Sequence, residues 1–355
     1  MNINARALWV STLVCLPAVG QVTPATISPS PSSVVAEVDG RTLTNIDLEQ
    51  KKSGSLLQAR YQYYMSQRKA LDQLVDEELL SLAAERQHLT VDELLQKKVY
   101  KDIKDPTEDQ LQVYYEGMES NDPYPAVRDR VLEHIRELRR DKARAAYTKE
   151  LRSQANLRIL LSPPVASVNL EDAFVKGSKN APVQLVEFAD YECPHCQQVN
   201  PLIQKLQEEY GDKLSIAYKD FPLPMHHRSE KAAEAARCAG EQGKYWEYHD
   251  VLYYSRMLDV SDLKKHAQVL KLDEDRFAKC LDGGTQAEAV KKDLEEGKRM
   301  GLPGTPSFFV NGHYFHGSVD YSTLKEMVDQ QLPARPSPQA VAQAALNAVF
   351  PQYFG

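Results

Sequence analysis

Several absences narrow what this 355-residue chain can be. Positive charge is not in excess: 43 Lys and Arg stand against 50 Asp and Glu, a net charge of −7. The basic surface that general nucleic-acid binding requires is therefore missing. Beyond the N-terminus no segment approaches the roughly 18 consecutive apolar residues of a membrane span. Cysteine is scarce, with five in all, and only one pair is spaced C-x-x-C. A tetrahedral structural zinc site takes four ligands, usually two such pairs. His226-His227 has no carboxylate or thiol at ligand spacing, and the glycines of "LDGGTQ" have no strand before them to make a phosphate cradle. No metal and no cofactor are expected. What remains is 42% hydrophobic and 26% charged, and long enough for two domains that each bury a core.

The first twenty residues differ from the rest. Arg6 precedes the short apolar run "ALWVSTLVCLPAVG", which ends in small residues at Ala18 and Gly20. This pattern predicts a secretory signal over 1–20 with a mature start near Gln21. Val14 is too large for a lipid-modified start at Cys15. Residues 21–34 read as a flexible linker. Export to the periplasm or cell envelope would place the other four cysteines where disulfides persist.

Residues 35–161 read as a mainly helical domain. "VVAEVDGRTLT" alternates around Asp39-Gly40 and predicts a hairpin, followed by a capping box at Thr44 and Asp47. Leu71, Leu74, Val75, Leu79 and Leu82 recur at helical spacing. Thr107 and Gln110 open a second helix. Val127, Val131, Ile135 and Leu138 mark a long third one with a charged, solvated face. "VVAEVDGRTLTNIDLEQ", "ALDQLVDEELLSLAAERQHLT" and "PTEDQLQVYYEG" resemble the N-terminal domain of SurA-type and PrsA-type periplasmic chaperones. That resemblance implies a cradle for unfolded clients or a homodimer contact. Pro163-Pro164 cannot continue a helix and marks a linker over 162–179.

From 180 to 332 the chain predicts an α/β fold. "APVQLVEFAD" is a strand, a helix starts near Cys193, and "KLSIAYKDF" is the next strand. A long helical stretch over about 229–300 follows, then the strand "PSFFVNG" and a last helix over 321–332. Residues 333–355 form a Pro- and Ala-rich tail. A disulfide between Cys193 and Cys196 closes too small a loop to staple the chain usefully, whereas redox chemistry uses every residue of the motif. Cys193 at a helix start has unpaired N–H groups and the positive dipole end to stabilise a thiolate. Pro194 suits the first helical position. His195 adds its N–H or a charged ring, and Cys196, one turn in, resolves a mixed disulfide.

"VEFADYECPHC" with "GTPSFFVNG" resembles DsbA-like thiol-disulfide oxidoreductases, which have a thioredoxin-like fold with a helical insertion. The resemblance implies a cis bond before Pro306 and a Thr305 backbone that receives an extended client segment. It also implies a buried acid at Glu187 that exchanges a proton with Cys196. Lys219 stands on the next strand at a register the sequence leaves open. Cys238 and Cys280 are expected to bridge, since unpaired thiols are a liability in an exported protein; two separately buried thiols are the alternative. The implied function is introduction of disulfides into unfolded or partly folded exported proteins, with a membrane redox partner. A reductase or isomerase kept reduced by such a partner, and a holdase with secondary redox activity, are the rivals.

Overall fold

The computed structural model describes residues 32–119, 121–317 and 319–332. The expected signal at 1–20, most of the linker 21–34 and the tail 333–355 lie outside the described residues. The chain divides into two compact units, 1–52 and 53–355.

In the first unit, β1 (Val34–Val38) and β2 (Arg41–Thr44) pair antiparallel. Asp39 and Gly40 turn between them with φ of 48° and 76°, a left-handed pair that glycine tolerates at no steric cost. Thr44 and Asp47 form the expected reciprocal cap and open α1 (Asn45–Lys51).

The second unit begins with α2 (Ser53–Glu85), α3 (Val91–Leu95), α4 (Glu108–Glu116) and α5 (Tyr124–Gln154). Thr90 with Glu93, and Thr107 with Gln110, cap α3 and α4 reciprocally. On α5 the expected Val127, Val131 and Ile135 are buried, together with Leu111 of α4, while Leu138 is 47% exposed. The stripe expected on α2 is displaced. Leu74 and Leu82 are exposed, and the buried residues are Leu57, Tyr61 and Tyr64 near one end and Leu80, Ala83 and Ala84 near the other. The physical reason is that one long helix serves two cores. Its C-terminal end packs with Leu94, Tyr147 and Leu151, fastened by Arg152 to Asp72 and Asp76. Its N-terminal end packs into the sheet's core with Val186, Phe309 and Tyr314. Within residues 53–161, α2 thus contributes to two separate cores.

The sheet contains β3 (Phe174–Lys176), β4 (Val183–Ala189), β5 (Leu214–Asp220), β6 (Ser307–Val310) and β7 (His313–His316) in the order β3-β5-β4-β6-β7. β4 and β5 run parallel, joined through α6 (Pro194–Tyr210), and the other pairings are antiparallel. Between β5 and β6 lie α7 (Ser229–Gly240), α8 (Tyr245–Ser255), α9 (Val260–Val269), α10 (Glu274–Asp282) and α11 (Ala287–Arg299); α12 (Tyr321–Gln331) closes the fold. This is a thioredoxin-like α/β fold with a helical insertion, as expected. The segment 162–179 departs from its reading as a plain linker. It supplies β3, and residues 163–166 run along the outer edge of β7, where Tyr314 N–H donates to Pro164 O (2.8 Å) and Ala166 N–H to Gly312 O (2.9 Å). An edge strand with unpaired backbone is thereby covered.

Beneath the sheet lies a buried ion cluster. Arg237 of α7 bonds Asp220 (2.5 Å) and Asp293, while Lys219 bonds Asp293 and Glu296 (3.0 Å). Cys238 and Cys280 form a disulfide between α7 and α10 across 42 residues. Replacing both with alanine should cost about 2–5 kcal/mol, as for a native bridge closing a loop of this size. Denaturant unfolding checks it, and an unchanged midpoint would deny the bridge a stabilising role.

Candidate active site

β4 is buried between β5 and β6, and its C-terminal end delivers the chain to the CPHC helix. The turn is fixed by Asp190, which is 1% exposed. Its Oδ1 accepts from Glu192 N–H (2.7 Å) and Ser229 Oγ; its Oδ2 accepts from Leu223 N–H (2.8 Å) and lies 2.8 Å from His226 Nδ1. The sequence reading passed over Asp190 and gave His226 no role. Apart from Glu192, the partners of the Asp190 carboxyl group lie more than thirty residues away from it, a distance at which spacing carries no signal.

Cys193 is the N-cap of α6 and Pro194 its first helical residue. Pro194 and His195 are exposed, while Cys193 and Cys196 are buried free thiols. The Cys193 pKa is lowered to about 5 by a hydrogen bond from Cys196, with the Thr305 side chain and the N–H groups of Cys196 and His195 adding to it against the opposing effect of burial. His195 thus acts on the sulfur through its backbone. Burial pushes the Cys196 thiol well up, and its hydrogen bond to Cys193 and the negative charge of Glu187 push the same way. One sulfur is ready to be a thiolate, and the other holds its proton.

The Thr305–Pro306 peptide is cis, and the Thr305 carbonyl oxygen lies 3.6 Å from Cys193 Sγ. Thr305 Oγ1 is buried with no hydrogen-bond partner among the described residues, and the side chain still helps to lower the Cys193 pKa. Cys193, Cys196, Thr305 and Pro306 thus come together, although more than a hundred residues separate the two pairs.

Glu187 is buried on the central strand, 3% exposed, and its Oε1 has no hydrogen-bond partner. Burial first, and the Cys193 charge second, raise its pKa to about 8. In register it faces Tyr218 on β5 and Phe308 on β6. Lys219, one residue on, points to the opposite face and joins the ion cluster, so it does not pair with Glu187. Glu187 borders a cavity of about 10 Å³ shared with Asn200, Gln204, Trp246 and His249, with Lys176 and Asp250 at its rim. That is about the room one water needs. His249 itself is held neutral, its pKa lowered to about 3 by burial, with Nδ1 3.1 Å from the Tyr191 hydroxyl. This layer of tyrosines and histidine under the thiols went unread in the sequence, where its members look like ordinary core.

Residues 169–330 match the family model described as thioredoxin. Among curated proteins, the Na(+)/H(+) antiporter NhaA 3 of Salinispora tropica is 38% identical over 156 residues, covering 43% of this chain and 24% of the antiporter. The chain thus spans about a quarter of that relative's length. No helix among the described residues is long and apolar enough to cross a membrane. Among solved structures, a thioredoxin-like oxidoreductase from Silicibacter pomeroyi is 28% identical, with 45% of this chain and 92% of that one covered and a TM-score of 0.41. BdbD from Bacillus subtilis is 24% identical, covering 48% of this chain and 96% of its own, with a TM-score of 0.43. Residues 169–330 are a thioredoxin-type domain, and the CPHC pair lies at the start of the helix that follows its central strand.

Proposed function

We propose that this chain is an exported protein thiol-disulfide oxidoreductase that introduces disulfides into client proteins through Cys193 and Cys196. The observation that carries the reading is the placing of two free thiols at one helix start, Cys193 as N-cap with its sulfur 3.6 Å from Thr305 O and Cys196 buried one turn in; their surroundings lower the first pKa to about 5 and raise the second. In the oxidised form a client thiolate attacks Cys193 Sγ and breaks its bond to Cys196. Cys196 leaves as a thiolate and takes a proton from Glu187. A second client thiolate then attacks the client sulfur of the mixed disulfide, and Cys193 departs as its stabilised thiolate. The client has lost two electrons and the enzyme has gained them; a membrane redox partner accepts them to restore the disulfide. A stabilised Cys193 thiolate favours the reduced enzyme and so makes its disulfide a strong oxidant.

Clients are unfolded or partly folded exported proteins. Exposed Tyr63 and Leu74 on α2, Val113 on α4 and Leu138 on α5 support a client-holding role for the helices before the thioredoxin-type domain. The Cys238–Cys280 bridge supports an oxidising compartment.

Cys196→Ser should trap client proteins on Cys193 as mixed disulfides, recovered from the cell envelope and released by reductant. The pre-oxidised wild type should oxidise a reduced, unfolded client rapidly and unscramble wrong disulfides weakly. A variant that captures nothing would sink the reading; fast unscrambling by a site found reduced in the cell would reassign the direction.

A further inference from the structure

The loop that carries Thr305 and Pro306 is held from both sides by a helix outside the thioredoxin-type domain. At its exit, His316 ends β7 opposite Ser307. The His316 ring places Nδ1 3.1 Å from Pro306 O and 3.0 Å from Ser307 Oγ, and Ser307 Oγ donates to Gly304 O (2.8 Å). With a proton on Nδ1, one imidazole braces the loop just after the proline.

The backbone of His316 faces away from β6 and is satisfied by one side chain of α2. The Tyr61 hydroxyl accepts from His316 N–H (3.1 Å) and donates to His316 O (3.3 Å). A phenol has the donor and the acceptor that this edge position needs. Tyr61 is 7% exposed, with its ring edge-on to Tyr314 at 4.8 Å.

At the loop's entry the same helix lies backbone against backbone. A Cβ on Gly54 would stand 2.5 Å from Arg299 O and 2.7 Å from Gly301 N. Gly301, with φ of +69°, starts the turn into Leu302, Pro303 and Gly304. Gly54 and Tyr61 are two helical turns apart, so one rigid rod touches the loop's entry and exit together.

We propose that α2 positions the Thr305–Pro306 loop, with Tyr61 and Gly54 as positioning residues that set how tightly an extended client segment binds beside Cys193. This rests on the oxidoreductase reading for its consequence but not for the clamp itself. A client that adds to the loop as a strand depends on where the Thr305 backbone sits, whereas a small dithiol needs only the sulfurs. Residues before the thioredoxin-type domain would then govern client affinity far more than thiol chemistry.

The test is Tyr61→Phe, which keeps the ring against Tyr314 and removes only the hydroxyl. Amide exchange at Ser307 and His316 should quicken, and KM for an unfolded reduced client should rise about five- to tenfold, the scale expected when the two part-buried hydrogen bonds of the Tyr61 hydroxyl are lost. The rate of dithiothreitol oxidation and kcat on the client should change much less than the client KM, and the Cys193 titration should move at most slightly upward, since Thr305 rides on the same loop. Gly54→Ala, which wedges the helix off the loop, should raise the client KM in the same way. Unchanged amide exchange in Tyr61→Phe would overturn the clamp whether or not the protein acts on clients. An unchanged client KM, or equal losses with dithiothreitol, would overturn the affinity role while the wild type's own activity leaves the oxidoreductase reading standing. A wild type silent toward clients and dithiothreitol alike would remove that reading and, with it, the affinity role.

Discussion

Thiol exchange by the reduced protein should be nearly independent of pH from about 6 upward and fall about tenfold per unit well below 5, since the thiolate is the nucleophile. The midpoint follows from Cys193, whose pKa is lowered to about 5. Thiolate absorbance should show one sulfur titrating there and the other silent to well above 9.0, the ordinary thiol value, because burial holds the proton on Cys196. The causes can be separated by substitution. Thr305→Val removes a hydroxyl that acts on the sulfur, and should move the midpoint up. His195→Ala keeps the N–H through which His195 acts, and should move it less. A depressed pKa also has a sign in stability. The reduced folded form gains fully above the unfolded thiol's value and loses that gain as pH falls through about 5. A reduced protein whose first thiol titrates near 8 or 9 would remove the basis for a strong oxidant.

Glu187→Gln should make the protein more stable and a worse catalyst. Glu187 is an acid whose folded pKa is raised, from 4.5 to about 8. Between these values the folded chain binds a proton that the unfolded chain does not, so stability falls as pH rises across that window. At pH 7 the deficit is two to three units, on the order of 3 kcal/mol at about 1.36 kcal/mol per unit. The glutamine variant should recover much of it and flatten the stability–pH curve between about 5 and 8. In exchange it can neither give nor take the Cys196 proton. Closure of a mixed disulfide should slow by about 10²- to 10⁴-fold, the usual worth of a positioned acid–base group. Urea midpoints across pH and stopped-flow decay of a client adduct measure the two effects. A variant of unchanged stability that resolves at the wild-type rate would reduce Glu187 to a bystander.

The sequence made local features legible and left distant ones closed. Pro194 at the first helical position and the Thr107–Gln110 cap are written within four residues of themselves, and the structure places both as read. β3 and β7 span three and four residues, too few for any periodicity. The burial of Glu187 could not be derived from alternation, because a central strand is apolar on both faces; only resemblance pointed to it. Lys219 needed the β4–β5 register, which pairs Glu187 with Tyr218 and turns Lys219 away. Tyr61 reads as one more tyrosine in a helix, and its partner His316 stands 255 residues further on.

The ion cluster under the sheet has an uneven count. Lys219 and Arg237 bring two positive charges to three carboxyl groups, those of Asp220, Asp293 and Glu296. Burial, opposed by Arg237 and reinforced by Asp293, raises the Asp220 pKa to about 6. A proton taken up by Asp220 on acidification would even that count. The domain thus carries an acid–base group that contains no sulfur, and a proton count taken on the whole protein would include it.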